Sequence, residues 1–309
     1  MLGALNVDKP AGFTSHDVVA RLRRVLGTRR VGHAGTLDPF ATGVLVVCAG
    51  KATRLAQFLV GLDKQYLAKV RLGFATDTQD LTGKQITPLR PPGKLDLERV
   101  HRLLDEFIGP QLQTPPMFSA KKVGGERLYK AAREGREVAR EPAGITIYSI
   151  ELINAEPMPA QPNDDGTMDV TVMVRCSSGT YVRTLAHDLG ERVGLGAHLA
   201  ALRRTAVGHF ESEQSVTLES LEAMTQDEVI ERALISPSAT LTHLPALTLN
   251  AEGVRRATTG RVLETPTTWV EAEDLFVRLC DESGALVAVG AYDPVARVIR
   301  PRVALEGKG

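Results

Sequence analysis

The chain has 309 residues and 43% hydrophobic content, enough for roughly two domains at about 150 residues each. Lys+Arg and Asp+Glu both number 37, so no net charge advertises a polyanionic partner and any such signal must be local. The longest apolar run, "GVLVVCAG", falls far short of the ~20 residues that span a bilayer, which argues against a membrane helix.

In chain order, "MLGALNVDKP" lacks a basic n-region and a long apolar core, so no signal peptide is expected and the protein is expected in the cytoplasm. "PAGFTSHDVVARLRRVLG" predicts a helix after a Pro-Gly turn, capped by Thr14 or Ser15 with Asp17 close behind. Val18, Val19, Leu22, Val25 and Leu26 recur at helical spacing, and Gly27 stands where a C′ residue belongs. Arg21, Arg23 and Arg24 fall mostly on other faces, so this helix should be buried on one side and basic on the other. "GVLVVCAG" reads as a buried strand, "KATRLAQFLVGL" as a helix and "KQYLAKVRLGFA" as a strand.

"LDLERVHRLLDEFIG" reads as a helix stopped by Gly109 and Pro110, and "GERLYKAAREG" as a shorter helix. "ITIYSIELINA" and "MDVTVMVRC" alternate as strands across a Pro- and Asp-rich loop, which implies antiparallel pairing. "SSGTYVRTLAHDLGERVG" lays Val182, Leu185, Ala186, Leu189 and Val193 along one stripe of a helix capped near Ser178 or Thr180. "ISPSATLTHLP" reads as a linker. Beyond it, "GRVLETP", "EDLFVRLCDESGALVAVGAYD" and "ARVIRPRVAL" are close-spaced short strands that suggest a small β-barrel of about 65 residues. Helices and hairpins mix without a strict βαβ rhythm, so the class is α+β around a mixed, largely antiparallel sheet.

Charge and chemistry concentrate locally. Lys9 to Arg54 carries eight Lys/Arg against two acids, and Phe118 to Arg140 carries seven against three; both are candidate footprints for a phosphate-rich ligand. Cys48, Cys176 and Cys280 are scattered and odd in number, as expected for buried free thiols. No P-loop and no helix-opening G-x-G-x-x-G occur, the histidines have no metal-ligand spacing, and "SSGT" lacks a nucleophile-elbow frame, so neither cofactor nor metal is expected. What remains is Asp38 in "VGHAGTLDPFATGVL". Gly32, Gly35 and Gly43 allow tight turns around it, and Pro39 restricts Asp38 to extended conformations, which suits a carboxylate presented to a ligand.

These blocks resemble the bacterial TruB family of tRNA pseudouridine synthases. The likeness runs through "GALNVDKPAGFTS", "GHAGTLDPFATGVL", "KQYLAKVRLGFATDTQDLTG", "TPPMFSAKKVGGERLYKAAREG" and "SSGTYVRTLAHDLG", in that order along the chain. Ala34, where many relatives carry a larger or hydroxylated residue, is a mild departure between motif positions. The resemblance implies a pseudouridine synthase catalytic domain over 1–240 and a PUA-like RNA-binding domain over 246–309. It implies isomerisation of a uridine in the T-arm loop of tRNA to pseudouridine by a stand-alone monomer that uses no guide RNA, no membrane and no cofactor.

By the same resemblance Asp38 is the catalytic aspartate, which attacks ribose C1′ or abstracts a ribose proton. Arg183 pairs with it, and Tyr66 stacks on the flipped uracil and assists removal of the C5 proton. His33 enters the T loop beside the displaced base, and Lys64 acts electrostatically. Lys9, Arg21, Arg24 and Lys121 are candidates for backbone contacts from the two basic stretches. Asp77 and Asp80 are expected to be turn caps. A non-catalytic RNA-binding or RNA-folding protein is the alternative, and a two-carboxylate hydrolase a weaker one, since the Asp38 loop offers a single acid.

Overall fold

The computed structural model describes residues 2–93, 95–119, 122–123, 126–127, 134, 136, 138–153, 163–265 and 275–305. One large mixed sheet organises the first two thirds of the chain. Its path is β12 (Val216–Thr217), β1 (Gly3–Lys9), β3 (Thr42–Ala49), β10 (Ala197–Val207), β4 (Lys64–Leu72), β9 (Met168–Cys176), β8 (Ala143–Leu152) and β5 (Gly109–Gln113). Two short strands hang off it: β2 (Val31–His33) on β3, and β11 (Phe210–Glu211) on β10. β1–β12 and β3–β10 are parallel, and the other ladders are antiparallel, including the expected β8–β9 pair. Strands β6 (Lys122–Val123) and β7 (Glu126–Arg127) form a separate two-stranded ladder. The short helix expected over 125–135 is therefore strand at Glu126–Arg127, and the rest of it lies largely outside the described residues.

Helix α1 (Ser15–Val25) follows its sequence signals closely. Thr14 and Asp17 form a capping box, Val18, Val19 and Leu22 are buried, and Gly27 at φ +59° ends the turn. Residues 51–62 are not one helix: a 3₁₀ stretch, Gly50–Leu55, leads into α2 (Ala56–Leu59). Helix α3 (Leu97–Asp105) is capped by Asp96, and β5 begins at Gly109. Helix α4 (Val182–Val193) buries its predicted stripe, but its N-cap is Tyr181 rather than Ser178 or Thr180. The Gln113 side chain braces that end from β5, accepting from Tyr181 N at 2.8 Å and donating to Tyr181 O at 3.0 Å.

Two of the cores on the large sheet are covered by helices. α3 and α4 cover one with Val100, Leu104, Leu185 and Leu189, and α1, α5 (Leu218–Ala223) and α6 (Gln226–Arg232) cover the other with Leu22, Leu221 and Val229. The C-terminal part is a curled five-stranded sheet in the order β13 (Ala246–Thr248), β15 (Phe276–Cys280), β16 (Leu286–Asp293), β17 (Val298–Ala304), β14 (Leu263–Glu264), with α8 (Ala251–Thr258) packed on it.

The predicted linker is not a tether. Ile235 exchanges two backbone hydrogen bonds with Ala4, and 237–240 form a short helix, α7 (Pro237–Thr240). Leu55, Leu59, Val207 and Phe210 then share one continuous apolar core with Leu241, Cys280, Leu286, Val289 and Val303. Composition signalled an irregular segment; packing against a neighbour decided that it would be held. The three cysteines are free and buried, as expected.

Candidate active site

The site is built on the 34–41 loop between β2 and β3. Gly35 takes φ +122°, and Gly43 at φ +100° lies so close to β10 that a Cβ there would meet Arg204 O at 2.2 Å. Three anchors then hold the loop. Ser15 Oγ accepts from Leu37 N at 2.9 Å and donates to Leu37 O at 3.2 Å. Lys9 Nζ donates to Pro39 O at 3.3 Å, to Phe13 O at 2.7 Å and to Pro10 O at 2.9 Å. Arg204, almost fully buried on β10, donates to Val44 O at 2.7 Å and to the Thr36 and Gly35 carbonyls at 3.3 Å each. The result is a carboxylate on a fixed loop.

Asp38 meets Arg183 in a two-pronged ion pair, Nε to Oδ2 at 2.9 Å and Nη2 to Oδ1 at 3.3 Å. The guanidinium is itself locked. Nη2 also donates to Phe118 O at 2.7 Å, and Nη1 donates to Thr78 O at 3.1 Å and to Asp80 Oδ2 at 3.4 Å. A buried cation in the first turn of a helix faces the positive end of the helix dipole, and two carboxylates offset that cost here. Asp80 is oriented in turn: its Oδ1 accepts from Thr78 Oγ1, Thr82 N and Thr82 Oγ1. Asp77 fits its expectation as a turn cap, accepting from Lys84 N at 2.8 Å; Asp80 caps its turn and also holds Arg183.

Burial raises the Asp38 carboxyl above its ordinary value even though 33% of the side chain opens into the cavity. Arg183 opposes that rise, Asp80 adds to it by like-charge repulsion, and Lys9 opposes it weakly. The cavity above has a volume of about 430 Å³, and its walls include Asp38, Tyr66, Arg183, Ser119, Lys64 and Arg204. Tyr66 and Lys64 share the buried face of β4, as their spacing predicted. Tyr66 pairs in register with Arg204 across the β4–β10 ladder. Burial raises its phenol, and the Arg204 charge pulls the other way.

The remaining expected residues separate. Lys64 lines the cavity, but its Nζ donates to Val60 O and Leu62 O at 2.6 Å each, and burial lowers it to about 8. Lys9 is a correction to the phosphate-contact expectation: it is completely buried with three carbonyls around its ammonium, so it shapes the Asp38 loop and presents no charge to solvent. Arg21 pairs with Glu222 at 3.0 Å and lies over the Phe13 ring, while Arg24 is exposed. His33 ends β2 half-buried, beside the loop and outside the cavity wall; burial lowers its imidazole, so it is neutral near pH 7. Lys121 lies outside the described residues, with most of the second basic stretch.

Sequence reasoning missed Arg204, the Asp80–Arg183 contact and the wall formed by Ser119 and residues 177–180. One signal for Arg204 was present. Adjacent Arg203 and Arg204 on a strand must face opposite sides, so one of them had to turn inward. Arg203 pairs with Asp8 at 2.9 Å, and Arg204 is the inward one.

Comparison with known proteins bears on the fold and the family. The solved structure of an H/ACA ribonucleoprotein bound to a substrate RNA containing 2′-deoxyuridine superposes on 98% of this chain and 85% of its own, with a TM-score of 0.73 and 25% identity. The descriptions "TruB family pseudouridylate synthase (N terminal domain)" and "tRNA pseudouridylate synthase B C-terminal domain" match residues 23–182 and 183–242. The chain belongs to the TruB family. Among its relatives, tRNA pseudouridine synthase B of Syntrophotalea carbinolica is 48% identical over 83% of this chain and 80% of its own length. That of Bacillus velezensis is 40% identical over 93% and 92%.

Proposed function

We propose that this protein isomerises uridine to pseudouridine in tRNA, with Asp38 acting on the ribose of a nucleotide flipped into the cavity. The observation that carries the reading is the two-pronged Asp38–Arg183 pair lining an open, largely apolar pocket with Tyr66 in its wall. Family membership and relatives named tRNA pseudouridine synthase B support the substrate class.

The chemistry needs few parts. Asp38 attacks C1′ or removes a ribose proton, and the C1′–N1 bond breaks. The uracil turns within the pocket, and C1′ bonds to C5 as the Asp38 oxygen leaves C1′ or as the abstracted proton is returned to the ribose. The C5 proton leaves and N1 gains one, so the product is an isomer, with no net redox change and no water consumed. Arg183 keeps the carboxylate in place and favours its charged form. Tyr66 offers a stacking face for the extruded base and a hydroxyl for the C5 proton. Extrusion costs a few kcal/mol, which contacts to the flanking backbone must offset.

The finer reading is a target in the T arm, with His33 beside the displaced base and Arg21 and Arg24 near phosphates. Residues 1–240 form the catalytic domain, and 246–309 a PUA-like unit that grips RNA. The enzyme works in the cytoplasm as a monomer without a guide RNA. The test is release of tritium from tRNA labelled at uridine C5, with mapping of pseudouridine in tRNA from cells lacking the protein. Tritium release together with loss of one T-arm pseudouridine is expected. Tight tRNA binding with no release would favour the RNA-folding alternative.

A further inference from the structure

Ser119 is a polar side chain that the fold leaves without a job. It is 4% exposed, lines the same cavity as Asp38, Tyr66 and Arg183, and its Oγ has no hydrogen-bond partner among the described residues. Several other hydroxyls around the site are engaged, and Thr36 and Ser178, in the same wall, are more exposed than Ser119. Ser15 bonds the Leu37 backbone, Ser177 accepts from Thr146 N, Thr180 donates to Ser177 O, and Thr184 donates to Gln79. A buried hydroxyl without a partner destabilises a fold, so one in a cavity wall points to a partner on whatever fills the cavity.

Its position says which part of the occupant it meets. The Phe118 carbonyl, one residue earlier, accepts from Arg183 Nη2, and the same nitrogen donates to Asp38 Oδ1. Ser119 is thus tied to the Asp38–Arg183 side of the cavity, whereas Tyr66 belongs to the β4–β10 side with Arg204. On the pseudouridine synthase reading, on which this inference rests, the carboxylate meets the sugar and the tyrosine meets the base. Within an RNA strand the sugar has one free hydroxyl, at C2′, which both donates and accepts, as a serine does. We propose that Ser119 Oγ hydrogen-bonds the ribose 2′-hydroxyl of the flipped nucleotide, turning its sugar toward Asp38 and favouring RNA over DNA at that position.

The experiment compares wild type with Ser119→Ala. Removing an orphaned hydroxyl should leave the thermal midpoint unchanged or raised, while kcat/KM on a T-arm stem-loop falls by about tenfold. In an Asp38→Asn background, which prevents turnover, affinity is then measured for stem-loops carrying uridine or 2′-deoxyuridine at the target. Ser119→Ala should weaken the uridine RNA and leave the deoxyuridine RNA unchanged. Equal weakening of both RNAs, or a kcat/KM within about twofold of wild type, would overturn the assignment. Wild type must release tritium from the uridine stem-loop; if it does not, the function itself is wrong, whereas a failure confined to Ser119→Ala counts against this residue alone.

Discussion

The floor of the cavity and the junction with the C-terminal sheet are both buried, yet they are held in opposite ways. The floor is polar. Arg183 engages Asp38, Asp80, Thr78 O and Phe118 O, while Arg204 and Lys9 clamp the loop carbonyls. The junction is mostly apolar, with Leu55, Leu59, Phe210, Leu286 and Val303 in one core and Phe58 edge-on to Phe276 at 5.0 Å. Its few directed bonds are staples: Arg54 to Ala304 O, Arg278 to Leu244 O and Ser238 O, and His243 Nε2 within 3.1 Å of Phe58 O. Directed bonds fix a charge to within an ångström, which chemistry requires. Apolar contact fixes a body against a body without fixing any one charge.

The contrast is sharpest when one charge is removed from the floor. Asp38→Asn keeps the shape and loses the charge, so tritium release should fall by at least ~10³-fold with folding and tRNA binding retained. Residual turnover near wild type would move the chemistry elsewhere.

Tyr66→Phe is expected to be next in size. The ring still stacks, a term of roughly 1–3 kcal/mol per base, so binding should persist while tritium release drops by orders of magnitude. Release close to the wild-type rate would make Tyr66 a stacking platform only.

At the junction the expected effect is on stability. Leu55→Ala or Leu286→Ala should each destabilise the protein by ~2–5 kcal/mol, and calorimetry should show the whole chain melting in one transition. Deleting 246–309 should leave an aggregating remainder, because Leu55, Leu59 and Phe210 lose their covering side chains. Two separate melting transitions, with only one moved by Leu286→Ala, would restore the tether reading.

The smallest expected change is a shift in a pH profile. The carboxyl of Asp38 is raised above its ordinary value, and in the proposed mechanism Asp38 acts ionised, so activity should be lost as pH falls through that raised value. Asp80 is one of the raising causes. Asp80→Asn should therefore carry the acidic limb of the kcat/KM profile to lower pH, with an effect on neutral turnover much smaller than that of Asp38→Asn. A limb that moves upward would mean that Asp80 acts chiefly by holding Arg183 in place.

Much of this protein is legible in its sequence. The capping box at Thr14, the buried face of β4 with Lys64 and Tyr66, the stripe of α4 and the β8–β9 pairing are local patterns, and periodicity reports them directly. Asp38 stood out because its loop combines glycines, a proline and no second acid. Four things needed the tertiary structure, and each depends on residues far apart in the chain. The brace on the N-terminal end of α4 comes from Gln113, 68 positions before Tyr181. Arg183 finds Asp80 across 103 residues, and Arg204 reaches under the Asp38 loop from 160 or more residues away. The Ser/Thr/Pro segment at 235–245 became part of a core because Ala4 and the 50–62 stretch lie beside it. Composition and spacing record what a residue does with its neighbours in sequence; burial of a charge or of an apolar face is settled only by what the fold brings against it.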